Sequence, residues 1–450
     1  MKRLALLVMV SVVALIGCGG GGEGGGGGNP NGDGNTQSER KLYSLYLPST
    51  GIYYSSPTLA GNYIYIGTSR GWLYDVASNN YFFKLNLNLT KAWEYPLEKK
   101  EVRGGATLDS SGNIYFVIED GRLNGNSSNS KLYLYSLDNN GVYRWSKIIS
   151  SSVYNLGMIN PAITTDDIIY IGGDKFYALD TSGNEKWTYD NNMTIMNAPI
   201  IDPTGNIYFN AAGSINSLYS SSIVSLYSNG TERWRFPTSG ESLSSPAFSV
   251  DYSKIFVGVG TKVYCLQANT GIKVWEFTPP GMVDTNPIDN NHYWGVFRAT
   301  PAVDSNNNVY IGTKANINSV FFAIKADGSG LLWKNEIGGD LYPSPVLGND
   351  NTVYVGSEDS GGNHVYGNNL HALDMATGNT KWAVSFSNDV SWSSPVLSDK
   401  GILYIGVMDY NGAGMPGGSI YAFRTDSTGL LPNAGSPRFH GGNSSTGRRE

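Results

Sequence analysis

Short runs in which apolar and polar residues alternate dominate the chain from residue 41 to residue 425. Runs such as "NVYIG" (308–312) and "YALD" (177–180) are separated by clusters of Asp, Asn and Gly. Alternation over so few residues predicts half-buried β-strands, and the clusters between them predict tight hairpin turns. The pattern therefore predicts an all-β fold made of many short antiparallel strands.

Four such segments recur in a fixed order and define a repeat. An apolar segment follows Pro, a Tyr/Val/Ile alternation ends in Gly, a third segment resembles "YALD", and the fourth begins at Trp. Copies of the first segment start at positions 57, 106, 161, 199, 246, 301, 345 and 395. The Trp returns about every 48 residues, a period typical of propellers and arrays, at Trp93, Trp145, Trp187, Trp234, Trp275, Trp333 and Trp382. Eight copies of four antiparallel strands predict an eight-bladed β-propeller.

The two ends of the repeat region predict how the ring closes. The eighth copy supplies three strands, and no Trp strand follows them. The run "KLYSLYLP" (41–48) precedes the first copy and belongs to no complete repeat. We expect it to be the fourth strand of the last blade, so that the N-terminus closes the circle. Residues 41–425 then form the propeller and residues 426–450 a C-terminal tail.

The third and fourth segments carry a motif that links the chain to a known family. Ala178, Asp180, Gly183 and Trp187 match the Ala–Asp–Gly–Trp hairpin of the PQQ-like repeat, and residues 372–382 match it with one residue inserted. Residues 41–425 thus resemble the PQQ-like β-propeller family. The resemblance implies that the seven Trp side chains dock between neighbouring blades. The tail "SPRFHGGNSSTGR" also resembles a short motif at the ends of related proteins.

The N-terminus resembles the export signal of a bacterial lipoprotein. Lys2 and Arg3 precede the apolar run 4–16, which is too short to cross a bilayer as a helix. Cys18 follows in a sequence similar to a lipobox, which implies cleavage after residue 17 and acylation of Cys18. Residues 18–40 are Gly-rich and predict a flexible tether. We expect a lipid-anchored protein of the cell envelope, at the outer membrane, that meets the membrane through this anchor only.

Charge and cysteine content restrict the chemistry that the chain can perform. The formal net charge of −6 gives no basic excess for nucleic-acid binding. The PQQ-dependent dehydrogenases that share the repeat hold a quinone and Ca²⁺ at the centre of eight blades, beside a disulfide between adjacent cysteines. This chain has only Cys265 besides Cys18, and its four histidines (292, 364, 371 and 440) lack the spacing of metal ligands. We expect no cofactor, no metal and no catalytic residue.

Long connections distinguish one face of the predicted propeller. With strands A to D in each blade, the A–B and C–D turns are short, whereas several B–C connections and the D–A connection 278–298 are long. Long loops on a rigid scaffold commonly carry binding sites. Aromatic residues on these loops predict an interaction face, with the alternative that they pack onto the scaffold: His292, Tyr293, Trp294, Phe297, Trp72, Tyr74, Tyr366 and Tyr410.

Together these observations favour a non-catalytic scaffold that binds another envelope protein. The chain resembles the propeller lipoproteins of the outer-membrane β-barrel assembly machine, which bind the barrel-inserting subunit and use no cofactor. One alternative is a surface-exposed adhesin or glycan-binding lipoprotein, because aromatic loops can stack on sugars. The other is a divergent PQQ-dependent dehydrogenase.

Overall fold

The computed structural model describes residues 37–48, 50–69, 79–121, 130–151, 157–190, 192–212, 220–241, 243–280, 282, 296–314, 319–358, 368–386, 392–410 and 416–448. The predicted signal peptide, Cys18 and most of the predicted tether lie outside these residues. Within them, the helix α1 (Gln37–Arg40) is followed only by strands. None of the described helices is long and apolar enough to cross a membrane.

The strands form eight four-stranded antiparallel sheets arranged as a ring, which confirms the predicted eight-bladed β-propeller. In each blade, strand A is innermost and strand D outermost. Blade 1 consists of β2 (Thr58–Ala60), β3 (Tyr63–Gly67), β4 (Asn80–Asn86) and β5 (Lys91–Glu98), and blade 2 of β6 (Glu101–Leu108), β7 (Ile114–Asp120), β8 (Lys131–Leu137) and β9 (Tyr143–Ser150). Blade 3 consists of β10 (Ala162–Ile163), β11 (Ile169–Ile171), β12 (Phe176–Leu179) and β13 (Glu185–Tyr189), and blade 4 of β14 (Ile200–Ile201), β15 (Ile207–Ala212), β16 (Ser220–Leu226) and β17 (Glu232–Ser239).

Blades 5 to 7 repeat this order, and the last blade joins the two ends of the propeller. Blade 5 consists of β18 (Ala247–Phe248), β19 (Lys254–Val259), β20 (Lys262–Gln267) and β21 (Lys273–Phe277). Blade 6 consists of β22 (Ala302–Val303), β23 (Val309–Gly312), β24 (Val320–Ile324) and β25 (Leu331–Glu336). Blade 7 consists of β26 (Val346–Gly348), β27 (Thr352–Ser357), β28 (Asn368–Asp374) and β29 (Thr380–Phe386). Blade 8 consists of β30 (Val396–Leu397), β31 (Ile402–Tyr410), β32 (Pro416–Arg424) and β1 (Lys41–Pro48). The N-terminal strand therefore closes the ring as predicted.

The recurring Trp side chains lie between neighbouring blades. The indole Nε1 of Trp187 donates a 2.9 Å hydrogen bond to the carbonyl of Ser228 in the C–D turn of blade 4. Its ring covers Gly230 of the same turn, where a Cβ would lie 2.7 Å from the indole. The same ring-on-glycine contact recurs for Trp93–Gly141, Trp145–Gly183, Trp234–Gly271, Trp275–Gly328 and Trp333–Gly378. Each of these six Trp side chains thus fixes one blade on the next through apolar contact and one hydrogen bond.

The seventh Trp faces the closing blade, where no C–D turn exists. The guanidinium of Arg40 lies 4.7 Å from the ring centroid of Trp382, and Arg40 is paired with Asp426 at 3.1 Å. A cation–π contact from the start of the propeller therefore takes the place of the glycine. The other side of blade 8 also departs from the pattern, because Tyr43 stands opposite Ala422 where other blades have Trp.

The glycine under each Trp predicts a measurable stability difference within a single turn. Gly328 has φ of +71°, and its Cβ would lie 2.6 Å from Trp275, whereas a Cβ on Gly330 meets nothing within 4 Å. We expect Gly328→Ala to lower the free energy of unfolding by about 2–3 kcal/mol through backbone strain and overpacking. Gly330→Ala, the matched control, should change it by less than about 1 kcal/mol. Urea unfolding followed by Trp fluorescence measures both, and equal effects would contradict this account.

Candidate functional site

The central axis, on the side of the long connections, is lined by one residue from each blade. These eight residues, the axial ring, stand three positions before the start of each repeat copy: Tyr54, Arg103, Met158, Met196, Leu243, Arg298, Tyr342 and Trp392. Trp392 stacks on Tyr342 with ring centroids 4.5 Å apart and lies 6.3 Å from Tyr54. The ring is mostly apolar and aromatic, so it forms a packed wall.

A belt of hydroxyl groups follows the axial ring towards the opposite face. In the blades that form this belt, the residue just before the proline that precedes strand A accepts a hydrogen bond through its side-chain oxygen. The donor is the backbone N–H of the equivalent residue in the preceding blade. Ser245, Thr300, Ser344, Ser394 and Ser56 accept in this way, at distances of 2.9 to 3.1 Å. The belt ties the innermost strands together around the axis.

The tail fills the axis from the side of the short turns. Phe439 packs with Met158, Leu243 and Trp392, and the cavity left between them measures about 10 Å³. A space of that size holds about one water molecule. That cavity is too small for a quinone. No group of three His, Cys, Asp or Glu among the described residues could hold a metal ion.

Backbone hydrogen bonds hold the tail in this position. The N–H groups of Leu59, Ile163, Ile201, Val303 and Leu347 donate to tail carbonyls at 2.8 to 3.0 Å. All five belong to innermost strands, whose inner edges would otherwise face the axis unpaired. Two side-chain contacts add blades 5 and 8, from Phe248 N–H to Ser436 Oγ and from Asn443 Nδ2 to the Leu397 carbonyl.

Two arginines, Arg103 buried and Arg298 partly exposed, give the axial ring its charge. Arg103 forms an ion pair with Glu119, lies 3.9 Å from Glu101, and stacks on Tyr54 at 3.5 Å from the ring centroid. Burial lowers the pKa of Arg103, but Glu119, Tyr54 and Glu101 outweigh it and raise the pKa above its ordinary value. Arg103 is therefore a fixed, neutralised cation and an unsuitable proton donor.

The second arginine belongs to a larger charged cluster at blades 5 to 7. Arg298 binds Glu241 through two contacts, Nε–Oε2 at 3.1 Å and Nη2–Oε1 at 2.8 Å. Buried Asp340 and Glu358 lie nearby, and burial lowers the pKa of Lys314 in spite of their attraction. Three carboxylates and two cations thus meet at the rim of the axis. Each charge of this cluster thus lies close to a charge of the opposite sign.

One predicted interaction residue has a different role. Phe297 is fully buried, and its side chain covers Gly258 at the end of strand B in the preceding blade. A Cβ on Gly258 would lie 2.5 Å from the Cβ of Phe297. Equivalent apolar contacts occur for Val102 on Gly67, Ile195 on Gly172, Leu341 on Gly312 and Ile52 on Gly406. Phe297 is therefore a repeated packing residue, which its spacing before Pro301 could have revealed.

Most of the predicted interaction face lies outside the described residues. This applies to Trp72, Tyr74, His292, Tyr293, Trp294 and Tyr366, while Tyr410 ends β31 without a described side chain. Their grouping remains a prediction. Of the other candidates, His371 is buried with Nε2 3.1 Å from Ser357 Oγ, and burial lowers its pKa to about 4. Burial also raises the pKa of the Cys265 thiol to about 12, so this thiol is inert.

Comparison with known proteins supports the resemblance inferred from the repeat motif. A family model described as outer membrane protein assembly factor BamB matches residues 220–293 and 289–384, less than half of the chain. No curated protein matches the sequence. The matched residues begin in strand C of blade 4 and extend into strand D of blade 7.

Solved structures share the architecture at low sequence identity. BamB from Moraxella catarrhalis is 13% identical, with a TM-score of 0.57 over 86% of this chain and 99% of that chain. A europium-containing methanol dehydrogenase is 13% identical, with a TM-score of 0.64 over 86% and 93% of the two chains. A quinohemoprotein alcohol dehydrogenase from Comamonas testosteroni is 14% identical, with a TM-score of 0.60 over 87% and 77%. These likenesses show the fold alone, so function is argued from the site.

Proposed function

We propose that the chain is a non-catalytic, lipid-anchored scaffold of the bacterial envelope that binds a protein of the outer-membrane assembly machinery. The observation that carries the proposal is the filled axis. Phe439 and five residues of the axial ring leave a cavity of about 10 Å³ at the axis, which is too small for a quinone. Binding is then left to the outer surfaces, and the long connections supply the larger surface for it.

Two further observations support this proposal. The family model that matches blades 4 to 7 carries the description of an outer-membrane assembly factor. The charged groups at the axis are paired with each other, as Arg298 is with Glu241 and Arg103 with Glu119. Such pairs hold the rim rigid, and a rigid rim presents loops to a partner at a low entropic cost.

Crosslinked affinity capture from bacterial envelopes tests the proposal. The variant to compare with the natural chain replaces residues 283–294 with Gly-Ser-Gly and keeps Val296 and Phe297, because Val296 pairs with Lys314 and Phe297 belongs to the core. We expect the natural chain to capture the barrel-inserting subunit. The variant should capture at least tenfold less of this subunit. The double substitution Asp399→Ser/Lys400→Ser, in an exposed turn of the opposite face, is the control and should capture normally.

Either of two outcomes would overturn this function. Unchanged capture by the loop variant would show that the long connection 278–298 does not bind the partner protein. An absorbance change on titration with quinone and Ca²⁺, together with no capture at all, would favour the dehydrogenase. Melting temperatures of both variants close to that of the natural chain are required before their capture is compared.

A further inference from the structure

A groove of mixed polar and apolar surface crosses blades 3 to 5 on the face of the short turns, opposite the long connections. It consists of two adjoining cavities of about 650 and 560 Å³, both lined by Asp202, Thr204 and Tyr252. Each is within the usual size of a small-molecule site. Because the two adjoin across three blades, the groove has the shape for an extended ligand rather than a compact one. We name it the turn-face groove.

Tyr252, which lines both cavities, has an unusual backbone conformation. Every A–B turn contains one residue with positive φ, and in the other blades this residue is Gly61, Gly112, Asp167, Gly205, Asn307, Asn351 or Gly401. Blade 5 alone places an aromatic residue there, with φ of +59°. Bulky residues rarely adopt this conformation, and such strain concentrates at functional sites. Phe248 braces the Tyr252 ring at a centroid distance of 5.1 Å.

Tyr170 lines the groove and carries a buried hydroxyl that has no hydrogen-bond partner among the described residues. In blades 2, 4, 6 and 7 the Tyr of strand B donates to an Asp of the A–B turn, as Tyr208 does to Asp202 at 2.9 Å. Blade 3 has Thr164 where those blades have Asp, and the hydroxyl of Tyr170 has no partner among the described residues. Burial raises the pKa of Tyr170 to about 12, so the hydroxyl stays a neutral donor. An orphaned buried donor calls for an explanation such as a ligand.

The remaining wall identifies the chemistry of that ligand. Hydroxyl and amide side chains supply its polar groups, among them Thr165, Thr204, Asn229, Gln267 and Asn269. The charged residues are two carboxylates and three cations, and Arg233 is already bonded to Tyr208 and Ser225. This near balance disfavours a polyanion such as nucleic acid. Mixed donors and acceptors beside an aromatic face suit a neutral polyhydroxylated chain.

We propose that the turn-face groove binds a neutral oligosaccharide, with a sugar ring on Tyr252 and a sugar oxygen accepting from the Tyr170 hydroxyl. This site lies on the face opposite the proposed protein-binding loops. The two functions can therefore succeed or fail independently.

Isothermal titration with soluble hexasaccharides tests the site. Maltohexaose, cellohexaose, laminarihexaose and N-acetylchitohexaose are the neutral probes, and a heparin hexasaccharide is the acidic one. We expect saturable binding of at least one neutral probe. Tyr252→Gly should weaken it at least tenfold while relieving the backbone strain, and Asn351→Gly, at the same turn position outside the groove, should leave it unchanged.

A second variant separates binding from folding. Tyr170→Phe removes only the hydroxyl, so it should weaken the same probe several-fold while the Tm of the free protein stays equal or rises slightly. The Trp187 ring lies 5.6 Å from Tyr170, so its fluorescence gives an independent reading of binding. No binding of any neutral probe, binding of the acidic probe alone, or neutral binding that neither variant weakens would each overturn the proposal.

Discussion

A chain lacking residues 41–48 is expected to unfold roughly 5–10 °C below the natural protein, in one transition that involves all eight blades. These residues form β1, which pairs with β32 from Tyr43 opposite Ala422 to Pro48 opposite Gly417. Its removal breaks the ring at the only blade made from both ends of the propeller. Lost hydrogen bonds and the exposure of buried Leu47 amount to about 5 kcal/mol or more.

Calorimetry with hydrogen exchange distinguishes loss of the ring from loss of one edge. The control is Tyr46→Ser, because the Tyr46 side chain is 58% exposed and the backbone pairing of β1 is kept. That variant should melt within about 1–2 °C of the natural chain, since surface substitutions change stability little. A peptide of residues 40–48 added in trans should restore part of the lost Tm. An unchanged Tm after the deletion, or faster exchange confined to β31 and β32, would contradict closure by β1.

Blade number and the closing strand could be predicted because both depend on local patterns. Alternation, turn residues and the recurring Trp define each hairpin within about twelve residues, and a missing fourth strand at one end matches an extra strand at the other. Where the expected turn glycine is absent from the sequence, another residue takes its place in the structure. Leu89, with φ of +63°, occupies the turn position that is Gly in the next six blades, and Arg40 covers Trp382.

The filled axis could not be predicted because its contacts join distant parts of the chain. Ser394 donates its N–H to Ser56 across 338 residues, and the belt is visible only once the eight blades are placed in a ring. Aromatic composition was misleading for Phe297, since an aromatic residue beside a long loop can equally be core or surface. The hydroxyl or amide before most strand-A prolines was a signal in the sequence, but its role depends on the geometry of the ring.

A chain truncated after Ala434 is expected to lose more stability than the β1 deletion, about 8 kcal/mol or roughly 10 °C in Tm. The truncation removes the residues that bond to the innermost strands of seven blades and keeps the Arg40–Asp426 ion pair. Two terms add up. The inner strand edges lose backbone partners, and the contacts of Phe439 with Met158, Leu243 and Trp392 are lost.

Phe439→Ala separates these two terms, because it opens a cavity at the axis and leaves the backbone of the tail in place. It should cost about 3–5 kcal/mol, close to half of the truncation. Phe439→Leu should recover much of that loss. A hydrophobic dye should bind the truncated chain more strongly than either point variant, since only the truncation opens the axis to solvent. If the truncated chain melts at the same temperature as the natural one and binds no more dye, the tail does not hold the axis closed, and a cofactor at the centre is no longer disfavoured.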